Sequence, residues 1–347
     1  MTERLYIVGP CAAESEEQTL RIAHSLSAQR SVLCQRSGLC SNIIFRAGVW
    51  KPRTSPDTFQ GVGDIGLTWL QRVKAETGLP VATEVSTPEQ VHKALEAGID
   101  YLWLGARTSA NPILVQTLAD EIKKCQLSTV NCQLKGIFVK NPVNEDAALW
   151  IGNIKRLAVS GERLAVMAVH RGCNHRPCWQ MAYQLRRALP DVPLLLDPSH
   201  MSGDAAKVAE LCQIAAELEY DGLMIEVHDD PQHALSDAKQ QITPAQLTEL
   251  TSQPSMPSQP SPLPLRWLRR MMDEVDDALW ETIAQRMEIS KQIGDYKKAH
   301  HIEVLQPTRF EQILSRRLNW AQTKCLTAET VRQIMNALHA ESIRVQH

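Results

Sequence analysis

The chain has 347 residues, of which 44% are hydrophobic and 22% are charged, as in ordinary globular proteins. The 37 Lys and Arg residues nearly balance the 39 Asp and Glu residues, so the net charge is −2. This charge excludes nucleic-acid binding through a polybasic arm as the main function. Aromatic residues make up only 5%, so base-stacking surfaces are not expected either. The length predicts about two domains, or one barrel with a small partner domain.

The cysteines and the first residues of the chain indicate a reducing compartment. The nine cysteines form an odd set without the spacing of a small secreted disulfide framework. The apolar stretch before Gly9 and Pro10 is too short for a secretory signal peptide, and no apolar run approaches the ~18 residues that span a bilayer. We therefore expect a cytoplasmic protein without a membrane partner, whose cysteines are free thiols or metal ligands.

Short β-type runs alternate with helical patterns through the first 250 residues. The predicted strands are 5–8, 43–48, 81–85, 101–104, 136–139, 164–169, 193–196 and 223–227. Helical patterns fill most of the gaps between them, for example at 88–97 and 204–219. Strands that alternate with helices predict parallel βαβ units, and eight such units in about 250 residues predict a (β/α)8 TIM barrel. A doubly wound parallel sheet is the alternative.

A Pro-rich segment follows the predicted barrel. Prolines stand at positions 254, 257, 260, 262 and 264. Because proline breaks helix interiors and central strands, residues 251–264 are predicted to form a semi-rigid extended linker. The sequence is therefore divided into a barrel domain at 1–250, a linker at 251–264 and a second domain at 265–347.

After the linker the pattern is helical throughout. One long helix is predicted at 266–299, a second begins near Pro307 and Thr308, and a third extends from Thr327 to about Gln346. A helix of about 34 residues measures ~50 Å, which a domain of about 80 residues is too small to cover by itself. We expect a small all-α three-helix domain that forms a homodimer or a larger homo-oligomer.

Polar and charged residues follow every predicted strand of the barrel, at the end where barrel active sites lie. One group combines sulfur, nitrogen and oxygen donors: Cys11, His200, Glu226 and Asp237. This mixed set suits a divalent transition metal, with Mn, Fe, Co and Zn all acceptable. A second group is cationic: Arg46, Lys51, Arg53, Arg107, Lys140 and Arg171. Because cations that converge on one pocket repel each other, they predict ligands with several negative charges, such as phosphorylated acids.

Two further motifs are interpreted as structural. Residues 61–66 match G-x-G-x-x-G, but they follow a Pro-rich loop instead of a strand, so they are interpreted as a loop and helix start. Cys173, His175 and Cys178 lack a second ligand pair at a spacing typical of zinc sites.

The strand-end motifs resemble those of the compact type I 3-deoxy-D-arabino-heptulosonate 7-phosphate (DAHP) synthases, over roughly residues 3–250. The resemblance rests on Gly9-Pro10-Cys11, Arg46 with Lys51-Pro52-Arg53-Thr54, Gly105-Ala106-Arg107, Asp197-Pro198-Ser199-His200, and Glu226-Val227-His228 with Ala234-Leu235-Ser236-Asp237. A sister family, the 3-deoxy-octulosonate 8-phosphate synthases, shares the barrel and usually carries Lys-Ala-Asn-Arg-Ser in the Lys-led loop. The Lys-Pro-Arg-Thr of this chain favours a four-carbon aldose phosphate, and a five-carbon sugar phosphate is the alternative.

The resemblance implies an aldol-like condensation of phosphoenolpyruvate with erythrose 4-phosphate. A divalent metal on Cys11, His200, Glu226 and Asp237 would act as a Lewis acid on the aldehyde oxygen. Arg107, Lys140 and Arg171 would hold phosphoenolpyruvate, with Arg46 and Lys51 beside them. Lys51 would also donate a proton, and Arg53 and Thr54 would bind the sugar phosphate.

Two cations interrupt the apolar stripe of the long C-terminal helix. The stripe comprises Met272, Val275, Leu279, Ile283, Ser290 and Ile293, and the same helical spacing continues it through Arg286 and Lys297. Because an unpaired buried charge is costly, a bound anion is predicted, with an inward salt bridge or snorkelling side chains as the alternative. Ser342 and Gln346, one turn apart on the third helix, close the same stripe.

These residues resemble the all-helical class of chorismate mutases over about residues 265–347. The residues at matching spacings are Arg269, Asp276, Arg286, Lys297, Arg309, Ser342 and Gln346. The resemblance implies the rearrangement of chorismate to prephenate without a metal or other cofactor. Arg286, Arg309 and the partner subunit's Arg269 would clamp the substrate carboxylates, and Lys297 and Gln346 would donate to the ether oxygen.

Two positions of the helical half depart from some relatives, in which they carry acids. They hold Gln306 and Phe310 here, so a non-catalytic ligand sensor or dimerisation module is the alternative. The two halves together predict a bifunctional shikimate-pathway enzyme with phosphoenolpyruvate, erythrose 4-phosphate and chorismate as small-molecule substrates. We also expect that the ligand of the mutase half feeds back on the synthase half.

Overall fold

A computed structural model describes residues 4–37, 43–53, 55–128, 134–158, 164–252 and 261–346. The site residue Thr54 and linker residues 253–260 lie outside this part of the chain. The chain divides into two compact units, Met1–Met271 and Met272–His347. Among the described residues, none of the helices combines the length and the apolar character that a bilayer span requires.

Parallel strands form a closed barrel in chain order, and the last strand pairs with the first. The strands are β1 (Leu5–Gly9), β2 (Ile43–Arg46), β3 (Val81–Glu84), β4 (Tyr101–Leu104), β5 (Gly136–Lys140), β6 (Ala165–His170), β7 (Leu194–Leu196) and β8 (Gly222–Glu226). In this register Tyr6 of β1 lies opposite Ile43 of β2 and Leu223 of β8. The predicted (β/α)8 barrel is confirmed, and closure excludes an open doubly wound sheet.

Helices follow the strands around the barrel. They are α1 (Glu16–Ser37), α2 (Ile65–Thr77), α3 (Pro88–Glu96), α4 (Ala106–Ser109), α5 (Pro112–Ser128), α6 (Ala147–Ala158), α7 (Trp179–Ala188), α8 (Pro198–Ser202), α9 (Val208–Glu217) and α10 (Pro244–Ser252). Local chemistry sets several of their ends. Thr87 caps α3 by accepting a hydrogen bond from the Gln90 backbone N–H, and α2 ends at Gly78, which adopts φ +67°.

The barrel strands are apolar on both faces, because side chains fill the interior as well as the layer under the helices. The interior contains Ile7, Ile44, Ala82, Trp103, Phe138, Met167, Val169, Leu195 and Met224. Alternate strand residues, such as Val8 and Phe45, pack outward in a second buried cluster with the helices. Polar side chains are therefore confined to the strand ends, where the site forms.

Helix α11 (Leu263–Ala299) begins within the predicted linker and crosses the division between the two units. Its second residue is Pro264, which the first turn of a helix tolerates because the backbone N–H there needs no intrahelical acceptor. Helix α10 enters the predicted linker from the other side and ends at Ser252. The domain boundary at 264/265 remains a prediction, since the compact division falls at 271/272.

The second unit consists of the remainder of α11 with α12 (Pro307–Gln322) and α13 (Ala328–Gln346), which confirms the predicted all-α domain. Close packing of α11 on α13 depends on Gly294, because a Cβ there would lie 2.7 Å from the Gln346 Cα. The first part of the apolar stripe of α11 is exposed in the part of the chain that the structure describes. Met272, Val275 and Leu279 are 62%, 63% and 52% exposed.

Candidate active sites

The four predicted metal ligands meet at the carboxyl-terminal mouth of the barrel. Donor atoms of Cys11, Glu226 and Asp237 all lie within 4.8 Å of one another, and Cys11 Sγ is 2.8 Å from Asp237 Oδ2. His200 joins them through its Nε2, which lies 3.5 Å from Glu226 Oε1. Segments that are up to 226 positions apart in the sequence thus deliver sulfur, nitrogen and oxygen donors to one place.

Asp197 sets the orientation of the His200 ring. It caps helix α8, where its Oδ1 accepts the backbone N–H of His200 at 3.0 Å. The same carboxylate lies 2.9 Å from His200 Nδ1, which leaves Nε2 facing Glu226. A carboxylate behind a histidine ring is the arrangement that orients histidine ligands in metal sites.

The electrostatics of the cluster favour a bound cation. Burial opposes ionisation of Glu226, yet His200 and Arg46 lower the pKa of this carboxyl below its ordinary value. The pKa of the Cys11 thiol is raised, first by burial and then by the Glu226 carboxylate. A divalent cation stabilises a thiolate and two carboxylates at once, so the donor set fits a transition metal.

A cavity of about 240 Å³ opens beside this cluster. All the predicted cations of the barrel line it: Arg46, Lys51, Arg53, Arg107, Lys140 and Arg171. His200 and Asp237 also line the cavity, so the donor cluster and the cations share one space. Such a pocket suits a polyanionic ligand in contact with a metal.

Arg46 is fully buried at the floor of the site. Its Nη2 lies 3.1 Å from Glu226 Oε1, and its guanidinium carbon lies 4.8 Å from the centre of the Trp103 ring. Its Nε and Nη1 have no hydrogen-bond partner among the described residues. Because buried donors are nearly always satisfied, these two indicate a place for an anionic ligand.

The loop after β2 brings two further cations to the donor cluster. Lys51 Nζ lies 3.1 Å from Cys11 Sγ and 3.8 Å from Glu84 Oε2. Burial by itself would lower the pKa of Lys51, but neighbouring Cys11 and Glu84 raise it above its ordinary value. Arg53 Nη1 lies 3.3 Å from Asp237 Oδ1. The Lys51 ammonium and the Arg53 guanidinium therefore both lie next to the donor cluster.

Strands β5 and β6 supply the cations on another side of the pocket. Lys140 Nζ lies 2.7 Å from Asp197 Oδ2, and burial lowers the pKa of this lysine although Asp197 opposes the shift. The backbone N–H of Arg171 donates to Asn141 Oδ1 at 2.7 Å. Asp197 therefore contacts both a predicted metal ligand and a predicted substrate-binding lysine.

Three polar residues that line the pocket were not predicted as site residues: Glu84, Gln240 and His175. Gln240 donates from Nε2 to Glu226 Oε2 at 2.7 Å, which holds the second oxygen of that carboxylate. Glu84 ends strand β3, and this position was the available sequence signal. An added Cβ at Gly105 would collide with its carboxylate, so the Gly of Gly105-Ala106-Arg107 leaves room for Glu84.

The two remaining motifs lie in the barrel unit. Residues 61–66 form a loop that runs into helix α2, with Gly61 at φ +92° and Gly63 at φ +76°. Cys173 packs in the hydrophobic core, with its Sγ 3.7 Å from Met181 Sδ.

In the helical unit, Arg286 connects α11 to α13. Its Nη1 lies 2.5 Å from Ser342 Oγ and 3.0 Å from the Leu338 carbonyl oxygen. Ser290 Oγ lies 3.2 Å from Ser342 Oγ, and both serines are buried. Partial burial lowers the pKa of Arg286. The predicted stripe thus contains a half-buried guanidinium bound to polar groups of its own chain, without a carboxylate in these contacts.

Lys297 occupies a similar position nearer the end of α11. Its Nζ lies 2.8 Å from the Val304 carbonyl oxygen and 3.4 Å from Gln346 Oε1. Arg309 is exposed on α12, and Phe310 stacks on His339 with ring centres 4.0 Å apart. Arg269 belongs to the first unit, where it is exposed and lies 3.5 Å from Ser261 Oγ.

Comparison with known families agrees with this geometry. The profile of the DAHP synthetase I family matches residues 2–129 and 174–256, which is more than half of the chain. The profile of chorismate mutase type II matches residues 268–347. Lys140 and Arg171 lie between the two matched parts of the barrel, so their placement in the pocket rests on the structure.

Individual relatives carry the names of both sister enzymes. A phospho-2-dehydro-3-deoxyheptonate aldolase of Thermotoga maritima is 28% identical over 242 residues, which cover 68% of this chain and 64% of the relative. A 2-dehydro-3-deoxyphosphooctonate aldolase of Trichlorobacter lovleyi is 32% identical over 262 residues, which cover 70% of this chain and 88% of the relative.

A solved structure of the DAHP synthase of Thermotoga maritima has the same barrel fold. It matches with a TM-score of 0.58 and 24% identity, covering 80% of this chain and 70% of that chain. The chain therefore belongs to the DAHP synthetase I family and carries a chorismate mutase type II domain in the same polypeptide.

Proposed function

We propose that the barrel condenses phosphoenolpyruvate with erythrose 4-phosphate to DAHP and phosphate, with the help of a divalent metal. The observation that carries this proposal is the shared cavity, in which a sulfur, nitrogen and oxygen donor cluster faces six cations. Arg46 adds two buried donors that lack a partner within the described chain. A reaction between two phosphorylated substrates needs this combination of charge neutralisation and carbonyl activation.

The residues of the barrel site have separate proposed roles in metal binding, substrate binding and proton transfer. Cys11, His200, Glu226 and Asp237 would hold a metal of the Mn, Fe, Co or Zn class, which when bound polarises the aldehyde carbonyl. Arg46, Arg107, Lys140 and Arg171 would bind the phosphate and carboxylate of phosphoenolpyruvate. Lys51, beside Cys11, would donate a proton, and Arg53 with Thr54 would bind the sugar phosphate. These cations offset the negative charge that develops as water adds and phosphate leaves.

A chelator experiment on the full chain tests metal dependence. After exhaustive treatment with EDTA, consumption of phosphoenolpyruvate should stop, and added Mn²⁺ should restore it. Consumption of chorismate in the same sample should continue throughout, because the rearrangement needs no metal. Turnover of phosphoenolpyruvate in fully chelated protein would contradict the proposed role of the four donors.

The aldose acceptor needs its own test, since relatives of both names match the barrel. Lys51-Pro52-Arg53-Thr54 supports the four-carbon acceptor by its resemblance to DAHP synthases. Product masses measured with erythrose 4-phosphate and with arabinose 5-phosphate distinguish the two. A product formed only from the five-carbon sugar phosphate would favour the sister activity.

For the helical unit we propose the rearrangement of chorismate to prephenate. The support is a row of half-buried donors between α11 and α13, formed by Arg286 and Lys297 with Ser342 and Gln346. Arg286 and Arg309, with the partner subunit's Arg269, would clamp the two carboxylates of chorismate, while Lys297 and Gln346 donate to the ether oxygen. The alternative is a ligand sensor, which Gln306 and Phe310 allow. The rate of chorismate loss, measured by absorbance with the full chain, separates the two.

We further propose that the enzyme is a homodimer, or a larger homo-oligomer, that works in the cytoplasm. The exposed stripe of α11 supports self-association, and a ligand thiol such as Cys11 must stay reduced to bind metal. Prephenate or chorismate would regulate the synthase across the linker. An unchanged rate of DAHP formation at saturating prephenate and chorismate would refute this feedback.

A further inference from the structure

The first turns of helix α11 are anchored in the barrel unit by a tryptophan. Trp267 is 1% exposed, and its ring centre lies 5.5 Å from that of Tyr220. Tyr183 and Trp179 complete its surroundings, with ring centres at 6.2 and 6.3 Å. Its Nε1 has no hydrogen-bond partner among the described residues, so aromatic packing is what holds the side chain.

Two arginines on the same turns bind the end of helix α9. Arg266 donates to the Glu217 carbonyl oxygen and to the Glu219 carboxylate. Arg270 Nη2 lies 2.6 Å from Glu217 Oε2. Because cations interact favourably with the last carbonyls of a helix, these contacts fix the start of α11 against α9.

Tyr220 connects this anchor to the substrate pocket. Its hydroxyl lies 2.8 Å from Nδ1 of His170, which is fully buried at the end of β6. The His170 carbonyl oxygen accepts the backbone N–H of Asp197 at 2.8 Å. Arg171, the next residue, lines the pocket. A continuous series of contacts therefore runs from Trp267 through Tyr220 and His170 to two residues of the site.

We infer that Trp267 is a positioning residue for the synthase reaction: by packing on Tyr220 it fixes His170, and through His170 it fixes Arg171 and Asp197. The inference rests on the proposed function of the barrel. Residues 257–267 lie outside both family matches, so the anchor is a feature of this chain that neither match describes. The start of α11 thereby contributes to the geometry of the barrel site.

The inference makes a specific kinetic statement. Arg171 and Lys140 are among the residues proposed to hold phosphoenolpyruvate, and Asp197 contacts Lys140. Arg53, proposed for the sugar phosphate, comes from the loop after β2 and binds Asp237 instead. Loosening the anchor should therefore weaken the binding of phosphoenolpyruvate more than the binding of the aldose phosphate.

The test compares full-length variants. Trp267→Ala removes the anchor, Trp267→Phe keeps an aromatic ring, and Tyr220→Phe keeps the ring but removes the hydrogen bond to His170. Leu268→Ala, at an exposed neighbouring position, is the matched control. Synthase kinetics with each substrate, the chorismate mutase rate and equilibrium binding of phosphoenolpyruvate by calorimetry are measured on the same preparations.

In Trp267→Ala we expect KM and Kd for phosphoenolpyruvate to rise about tenfold, which corresponds to about 1.4 kcal/mol. Trp267→Phe should recover most of this loss, Tyr220→Phe should show part of it, and Leu268→Ala should match the wild type. A purely structural role would lower the active fraction and kcat without moving either constant. Unchanged KM and Kd in Trp267→Ala overturn the inference, and if that variant does not fold, unchanged constants in Tyr220→Phe do so. A wild-type chain that binds phosphoenolpyruvate but forms no product would overturn the proposed function instead, and the Kd comparison would still decide the inference.

Discussion

Asp197 is a buried carboxylate that contacts both a residue proposed for the metal and a residue proposed for phosphoenolpyruvate. It lies 2.9 Å from His200 Nδ1 and 2.7 Å from Lys140 Nζ. Burial opposes its ionisation, yet His200 and Lys140 lower its pKa well below the ordinary value. Its negative charge therefore fixes the tautomer and direction of His200 as well as the position of Lys140.

Replacing Asp197 by Asn should weaken metal binding by about tenfold to a hundredfold, because the amide no longer orients the histidine as a carboxylate does. Titration of metal-free protein with Mn²⁺, followed by calorimetry and by DAHP formation, measures the change. Asp204→Asn is the matched control, since Asp204 also caps a short helical turn but lies outside the pocket. Equal metal affinity in Asp197→Asn and wild type would contradict the assigned role.

Arg286 gives the corresponding prediction for the helical unit. Arg286→Ala should reduce the rate of chorismate rearrangement by about a hundredfold or more, the usual cost of removing one preorganised donor. DAHP formation should not change. Arg332→Ala, at an exposed position of α13, is the control. Full mutase activity in Arg286→Ala would favour the ligand-sensor alternative, or a site elsewhere in the domain.

At the scale of single residues, the sequence reveals side chains whose chemistry follows a strand directly. Cys11, His200 and Glu226 were predicted because each stands at or just after a strand end. Asp197 also follows a strand directly, but its role, like that of Gln240, was not predicted, because it depends on a side chain distant in the sequence. Hydrophobic periodicity and strand position carry no information about such contacts.

At the scale of elements, the apolar runs located every strand of the barrel within two residues. The β-propensity of these runs and the helical gaps between them are local properties. The start of α11 could not be located from local properties. Proline is tolerated in the first turn of a helix, so Pro264 does not mark the boundary. The packing of Trp267 on Tyr220 is a tertiary contact that the local sequence does not reveal. Helix α11 therefore begins at Leu263, inside the segment predicted as linker, and the predicted domain boundary stays a prediction.

Strand β6 ends in a histidine surrounded by aromatic rings of α6 and α7, and this buried ring makes stability depend on pH. Burial lowers the pKa of His170 from 6.5 to about 3. Between these values the unfolded chain binds a proton that the folded protein does not, so the free energy of unfolding decreases as the pH falls through this window and is unaffected above it.

His170→Asn should remove this part of the acid sensitivity, although it lowers stability at pH 7 by disrupting the buried ring cluster. Urea unfolding at pH 7, 6, 5 and 4 gives the difference in free energy between wild type and variant, which should shrink toward low pH. His233→Asn, at an exposed position, should keep the wild-type pH profile. A wild-type-to-His170→Asn difference that stays constant with pH would show that folding does not lower the pKa of His170.

At the scale of the whole molecule, the chain joins two chemistries with different requirements. The barrel site places four metal-type donors beside a cavity that six cations line, whereas the helical unit presents arginine, lysine, serine and glutamine donors. The first reaction should fail without metal and the second should not. The described residues bury the barrel core, whereas Met272, Val275 and Leu279 of the α11 stripe are exposed.

That stripe leads to the last prediction. Leu279 is 52% exposed in the chain and lies on the predicted dimer face with Met272 and Val275. In Leu279→Glu an unpaired carboxylate would be buried at the interface, which should weaken the dimer by at least about a hundredfold. Light scattering after size exclusion should then show a monomer at micromolar concentration. Mutase activity should fall with it, because the partner subunit's Arg269 no longer completes the site.

Asp277→Lys tests whether the face, and not any change of charge on α11, is responsible. Asp277 lies two residues from Leu279, which is about 200° around a helix, so it lies on the opposite side. This variant should remain dimeric and active. A dimeric Leu279→Glu with full mutase activity would place the subunit interface on another surface, and the exposed stripe of α11 would then need a different explanation.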